Sequence, residues 1–286
     1  MQKGKKFFFR AFYVLYPIAL HYVLSMVVSR AALAVISLTA EDPMEVYYQW
    51  TVVITGITAA VVMVPAALLY QKDAQKRYRL QRIPSEYGQN LSLPDMVLLL
   101  LLGGAAALTG NLLMGIVQNY IQPDTYMEMI GTITEGKGIW TLVLFLGFLA
   151  PIGEEMIFRW LVYLRLRDIL GFPAACLLSG VIFGIYHGNL FQGIYAGVLG
   201  ILFACVMEWT GNVWASAFLH IGANSVTLLY AEYAPKLLDA HMEFVVGAIN
   251  LLLFGILILG FGREGKSSLA FIKKYLPHAD VGIADK

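Results

Sequence analysis

Charge is scarce in this chain. Only 14% of its 286 residues are Asp, Glu, Lys or Arg, against about 25% in an ordinary soluble domain. The net charge is +1, which gives no bulk electrostatic attraction to nucleic acid. Cysteine is nearly absent. Cys176 and Cys205 both lie in apolar runs, with no C-x-x-C spacing, so neither a disulfide nor thiol chemistry is expected. There are five histidines and no H-E-x-x-H zinc signature. No repeat of solenoid or propeller period is present, and no low-complexity tract. Short alternating segments of the kind a β-barrel needs are also missing.

What fills the chain instead is long apolar sequence, at 59% hydrophobic residues. About 20 apolar residues span a bilayer as a helix. Eight runs approach this: Ala11 to about Leu38, Trp50–Tyr70, Met96–Val117, Ile139–Leu164, the shorter Phe172–Tyr186, Phe191–Met207, Val213–Tyr230 and Phe244–Phe261. In lipid every backbone polar group must be satisfied internally, so continuous runs of this kind read as helices. The expected fold is an all-α polytopic membrane helix bundle with about eight transmembrane helices. The basic start MQKGKKFFFR resembles the n-region of a signal peptide. The run after it is long for an h-region and ends without a small-x-small site, so an uncleaved first span is expected.

Charge in the connections sets the orientation. Lys3, Lys5, Lys6 and Arg10 precede the first run, while Glu41, Asp42 and Glu45 follow it. Lys72, Lys76, Arg77, Arg79 and Arg82 lie between the second and third runs; Asp124, Glu128 and Glu135 outweigh Lys137 after the third. Arg165 and Arg167 follow the fourth run, and Arg263, Lys266, Lys273 and Lys274 the eighth. By the positive-inside rule both termini lie in the cytoplasm. Three regions are expected: 1–137, transmembrane helices with a basic loop that sets topology; 138–262, a catalytic membrane core; and 263–286, a polar tail.

Polar residues inside the apolar runs are few and clustered. Glu154 and Glu155 sit together in GFLAPIGEEMIFRWLVYL, where each buried carboxylate costs about 3 kcal/mol or more. Glu155 and Arg159 are i,i+4 neighbours on one helix face and can pair. Glu154 points about 100° away and is left available for proton transfer. FGIYH places Phe183 and His187 on one face; HIGAN stacks His220 over Asn224. An imidazole can move a proton or bind a metal, and a carboxamide can donate to a developing oxyanion. Together these are a base for water, a proton donor and an oxyanion binder. His21 reads as an interhelical contact and Glu208 with Asn212 as an interfacial turn. The stripes Gly180-Gly184-Gly188 and Gly193-Gly197 read as close helix packing.

These three motifs, in this order on membrane helices, resemble the CPBP family. It is also called Abi, or CAAX protease and bacteriocin-processing, and includes the Rce1-type CAAX prenyl endopeptidases. Its pattern is E-E-x-x-x-R, then F-x-x-x-H, then H-x-x-x-N. The chain has EEMIFR from Glu154, FGIYH from Phe183 and HIGAN from His220. The resemblance implies a membrane-embedded endopeptidase, a hydrolase acting on a peptide or protein that reaches the site from the membrane. It implies that Glu154 activates water, His187 positions it or moves its proton, His220 and Asn224 hold the oxyanion, and Glu155 and Arg159 brace the site. Members have been described both as metalloproteases and as metal-free glutamate proteases, and both mechanisms stay open here. A metal would fall to Glu154, His187 and His220, and Zn²⁺ accepts such ligands. A bacterial plasma membrane is the expected location, so a prenylated substrate is not assumed.

Two other functions use the same features. Buried Glu and His also build proton relays in transporters, but such carriers often show internal repeats and none is found. A non-catalytic immunity-type membrane protein would have no need of a complete motif set. The orientation is testable: a fluorescent protein fused after Lys286 should fluoresce, and alkaline phosphatase fused after Asp42 should be active. The reverse pattern would overturn it.

Overall fold

The structure, a computed structural model, describes residues 2–80, 91–118, 120 and 124–275. Among them all regular structure is helical. The helices are α1 Gln2–Ile36, α2 Pro43–Arg79, α3 Leu93–Val117, α4 Asp124–Thr134, α5 Ile139–Arg167, α6 Phe172–Tyr186, α7 Leu190–Thr210, α8 Val213–Leu237 and α9 Ala240–Tyr275. α1, α2, α3, α5, α7 and α9 contain stretches long and apolar enough to cross a membrane. α6 is apolar but has 15 residues, and α8 has 25 residues and carries His220 and Asn224. The protein is an all-α polytopic bundle, and each of the eight apolar runs lies within a helix.

Local chemistry explains where several helices begin. Asp42 caps α2, accepting from Met44 N and Glu45 N at 3.1 Å, with Pro43 in the first turn, where its missing N–H costs nothing. Asn189 caps α7 by accepting from Gln192 N at 3.1 Å, and Asn212 caps α8 by accepting from Trp214 N at 2.7 Å. Before these caps, Gly188 and Gly211 take positive φ, 69° and 62°. This left-handed conformation suits glycine and ends a helix sharply.

Four expectations need correction. The acidic connection after α3 contains the short helix α4. Lys72, Lys76, Arg77 and Arg79 lie within α2 rather than in a loop, and Arg165 and Arg167 lie within α5. Three of these charges are paired: Arg77 with Asp168, Arg165 with Asp73 and Arg167 with Glu208. Arg165 is fully buried; its Nε bonds Asp73 Oδ2 at 2.6 Å, Nη1 the Tyr13 carbonyl at 2.7 Å, and Nη2 the Tyr16 hydroxyl at 2.9 Å. Arg77 forks onto Asp168, with Nη2 to Oδ2 at 2.9 Å. Arg82 lies outside the described residues, as does the tail from 276 onward. α9 itself continues to Tyr275, through part of the segment expected to be a polar tail. Glu208, expected at an interface, is 3% exposed and accepts from Tyr163 Oη at 2.6 Å and from Arg167 Nε at 2.9 Å. The arginine and the phenol satisfy it, which is what a buried carboxylate requires.

Packing centres on α5, α8 and α3. A Cβ on Gly103 of α3 would collide with the Leu219 carbonyl, and one on Gly222 of α8 with the Leu100 carbonyl. The backbones of α3 and α8 therefore touch, as small residues allow inside membranes. Gly184 and Gly193 do the same for α6 and α7, as the stripes suggested; Gly188 belongs to the turn instead. α9 lies at the edge, with the most apolar window of its span wholly unburied in the protein, a face suited to lipid. Asn250 anchors it to α3 through the Ala105 carbonyl at 3.1 Å and Thr109 Oγ1 at 3.0 Å. Gly222→Leu should lower stability by about 1–3 kcal/mol or more in detergent unfolding. Gly247→Ala, with open space around it, should cost nothing measurable.

Candidate active site

α5 is not a plain α-helix. It winds as a π-helix over Val143–Leu149 and again over Met156–Tyr163, with the α-helical stretch Ala150–Glu155 between them. π-winding is rare and is frequently found at functional sites. Pro151 contributes a physical cause, since it has no N–H to return to the preceding turn. The carbonyls just upstream find side-chain donors on α8: Asn224 Nδ2 donates to Leu146 O at 3.0 Å and Ser225 Oγ to Gly147 O at 3.2 Å. In the second stretch Ser179 Oγ lies 3.4 Å from Phe158 O. Irregular backbone at membrane depth is tolerated when it is satisfied within the protein in this way.

Glu154 and Glu155 end the α-helical stretch and diverge. Glu155 is fully buried. Its Oε1 lies 3.0 Å from His220 Nδ1 on α8, and its Oε2 3.3 Å from Arg159 Nε. Arg159 is also fully buried, and its guanidinium stacks over the rings of Phe183 at 4.3 Å and Phe203 at 5.3 Å. Among the described residues, no atom completes a hydrogen bond with any of its three nitrogens; Glu155 and the two ring faces balance the charge. Gly200 makes room for it, because a Cβ there would stand 2.9 Å from Arg159 Nη2.

Glu154 faces the other side of His220. Its Oε2 is 3.8 Å from His220 Nε2, and its side chain retains 24% exposure. His220 thus stands between the two carboxylates, with Phe203 tilted against its ring at 4.7 Å. His187 caps the end of α6. Its Nδ1 lies 2.8 Å from the Phe183 carbonyl, and its ring meets the Phe183 edge at 4.7 Å. The same Phe183 ring meets His220 at 5.8 Å. Glu155, Arg159 and His220 are therefore buried, while Glu154, His187 and Asn224 are partly open. The bundle brings Glu154, Glu155, Arg159 and His220 together, His187 shares the Phe183 ring with His220, and Asn224, one turn after His220, bonds α5 at Leu146. One N–H of Asn224 is committed to Leu146, leaving the second for any other acceptor.

Two residues of the neighbourhood are not signature positions of the three motifs: Tyr186, a variable position of FGIYH, and His21. Tyr186 Oη lies 2.6 Å from His21 Nδ1, and the Tyr186 ring packs against Phe158 at 4.9 Å. The expected interhelical bond of His21 is thus made, and it ties α1 to the site. The sequence held one signal, an unexplained His in the first span.

Among the described residues, no three His, Cys, Asp or Glu side chains gather as a ligand set for one ion. Glu154 and His220 adjoin, while His187 reaches them through the Phe183 ring. The set Glu154, His187 and His220 does not fit a zinc ion as arranged, and no step is derived through one. The cysteines bear on none of this: Cys176 and Cys205 are free, with sulfurs 3.8 Å apart between α6 and α7.

Fold and site thus define a membrane bundle with a buried Glu–His–Glu arrangement open on one side. Comparison with known proteins agrees. Residues 136–226 match the family described as "Type II CAAX prenyl endopeptidase Rce1-like". The chain is also 25% identical over 184 residues to "Putative membrane peptidase YdiL" of Bacillus subtilis (strain 168), covering 60% of this chain and 74% of that protein. No solved structure matches significantly. The resemblance carried by the three motifs is borne out over the matched residues, which include Glu154, Glu155, Arg159, His187, His220 and Asn224.

The geometry separates the two glutamates by experiment. Glu155→Gln strands the Arg159 charge and should destabilise the protein by about 3–5 kcal/mol. Glu154→Gln, partly open and unpaired with an arginine, should stay within about 0.5 kcal/mol of the parent. Denaturant unfolding in detergent measures both.

Proposed function

We propose that the protein is an intramembrane endopeptidase that hydrolyses a peptide bond of a membrane-associated protein or peptide with water activated by Glu154. The observation that carries this is the division of labour between adjacent glutamates. Glu155 is consumed by Arg159 and His220, whereas Glu154 is open to a water and stands beside the same imidazole.

In the proposed reaction Glu154 takes a proton from water as its oxygen attacks the peptide carbonyl carbon. A general base must lie within hydrogen-bond reach of that proton, and Glu154 is the carboxylate of the cluster that retains exposure. His220, held by Glu155 at Nδ1, turns its Nε2 toward the oxyanion, and the second Asn224 N–H is a further donor for it. Donors preorganised in a dry site are worth more than in water. The tetrahedral intermediate collapses as the C–N bond breaks, and the proton held by Glu154 passes to the leaving nitrogen, with His187 positioning water or relaying that proton. Arg159 and Glu155 hold the His220 ring without touching substrate. A bacterial plasma-membrane location and a lipid-borne route for the substrate belong to the same proposal.

Membrane fractions from cells carrying the wild-type or the Glu154→Ala protein should differ in one or a few cleaved membrane peptides when compared by mass spectrometry. With such a peptide, Glu154→Ala should lower kcat by about 10³-fold or more, and His187→Ala and His220→Ala by about 10²–10⁴-fold. Full activity in all three variants would overturn the proposal. Glu154-dependent solute uptake in proteoliposomes, without peptide hydrolysis, would favour a carrier instead.

A further inference from the structure

At the end of the bundle away from the α1–α2 turn, the termini of three helices enclose a cleft of about 220 Å³. α1 supplies Phe9, Arg10 and Tyr13; α2 supplies Asp73, Lys76 and Arg77; the residues following α5 supply Asp168 and Ile169. It is separate from the Glu–His cluster and has no role in the proposed hydrolysis.

The charges around the cleft do not cancel. Both acids are already engaged: Asp73 accepts from Arg165 at 2.6 Å and from Tyr13 Oη at 2.9 Å, and Asp168 accepts the fork of Arg77. Arg10 and Lys76 have no ion-pair partner among the described residues, and both are exposed. Lys76 Nζ stands over the Tyr13 ring at 5.7 Å, a weak contact for a full charge. Arg77 is 96% buried by its 4% exposure, and its Nη1 has no hydrogen-bond partner. Among the described residues, three cations thus face one cleft whose acids are already engaged, while Phe9 and Ile169 provide an apolar wall.

Position adds the chemistry of the ligand. The cleft lies where the apolar spans of α1 and α2 give way to charged sequence, at the depth of phospholipid headgroups. Arginine and lysine together suit a phosphate: the fork binds its oxygens directionally and the ammonium acts as a point charge. An apolar wall beside the cations suits the glycerol and first methylenes of a lipid.

We propose that this cleft binds a phosphate-bearing anion through Arg10, Lys76 and Arg77, either the headgroup of an anionic phospholipid or free phosphate. A ligand there bridges α1, α2 and the end of α5 and completes the charge network that holds those ends together. It binds the folded bundle and stabilises it by mass action.

The test uses the full-length protein in detergent, with thermal unfolding followed in the presence of added phosphatidylglycerol, phosphatidylcholine or inorganic phosphate. Phosphatidylglycerol should raise the midpoint by about 5 °C, and phosphatidylcholine should not. An equal rise with inorganic phosphate assigns the site to the free anion; a rise with phosphatidylglycerol alone assigns it to the lipid. Arg10→Gln/Lys76→Gln should abolish the rise. Lys72→Gln/Arg79→Gln, the same charge change at exposed positions outside the cleft, should keep it, and native mass spectrometry should count one bound phosphatidylglycerol fewer only in the first variant. No rise with any anion, or equal loss in both double variants, would overturn the proposal.

Discussion

Arg159 is the constraint around which the catalytic half is arranged. A guanidinium with no exposure at all, deep in an apolar bundle, must be neutralised and surrounded. Glu155 neutralises it from one helical turn away, and Phe183 and Phe203 give it two ring faces. The absence of a side chain at Gly200 opens the space. Each of these partners then does something else. Glu155 also holds His220, and Phe183 touches both imidazoles. One buried charge therefore couples α5, α6, α7 and α8, and the geometry of the histidines follows from satisfying it.

The second organising fact is the winding of α5. π-helical stretches on both sides of Ala150–Glu155 leave carbonyls that need donors, and α8 supplies them through Asn224 and Ser225. Asn224 is thereby a structural residue as well as a candidate for catalysis. The same helix that carries His220 is bonded to the backbone just upstream of Glu154. A carboxylate and an imidazole positioned in this way are held by backbone and by packing rather than by long flexible side chains, the condition for preorganisation.

At the other end of the molecule, arginines again take the interior. Arg165 and Arg77 join α1, α2 and the end of α5 through Asp73 and Asp168. The pairs explain how α2 and α5 carry buried arginines without breaking: Arg77, Arg165 and Arg167 each meet an acid as the helix leaves the apolar layer. They also leave Arg10 and Lys76 without acids of their own among the described residues, so the cleft keeps a positive balance there.

Much of the fold was legible in the sequence, because apolar length and helical hydrogen bonding are one-dimensional constraints in lipid. The eight runs, the small-residue stripes and the Glu155–Arg159 pair all follow from spacing along a helix. The motif residues of the site were legible too, since polar groups are rare enough in such runs to stand out. Tertiary structure alone decided the rest. The lengths of α2 and α5 depend on partners some 90 residues away, as in Arg165 with Asp73 and Arg77 with Asp168, and spacing along one helix cannot reveal them. The burial of Glu208 depends on Tyr163 and Arg167, and the place of His21 at the site depends on Tyr186. Local sequence determines which groups can pair; only the packed bundle decides which of them meet.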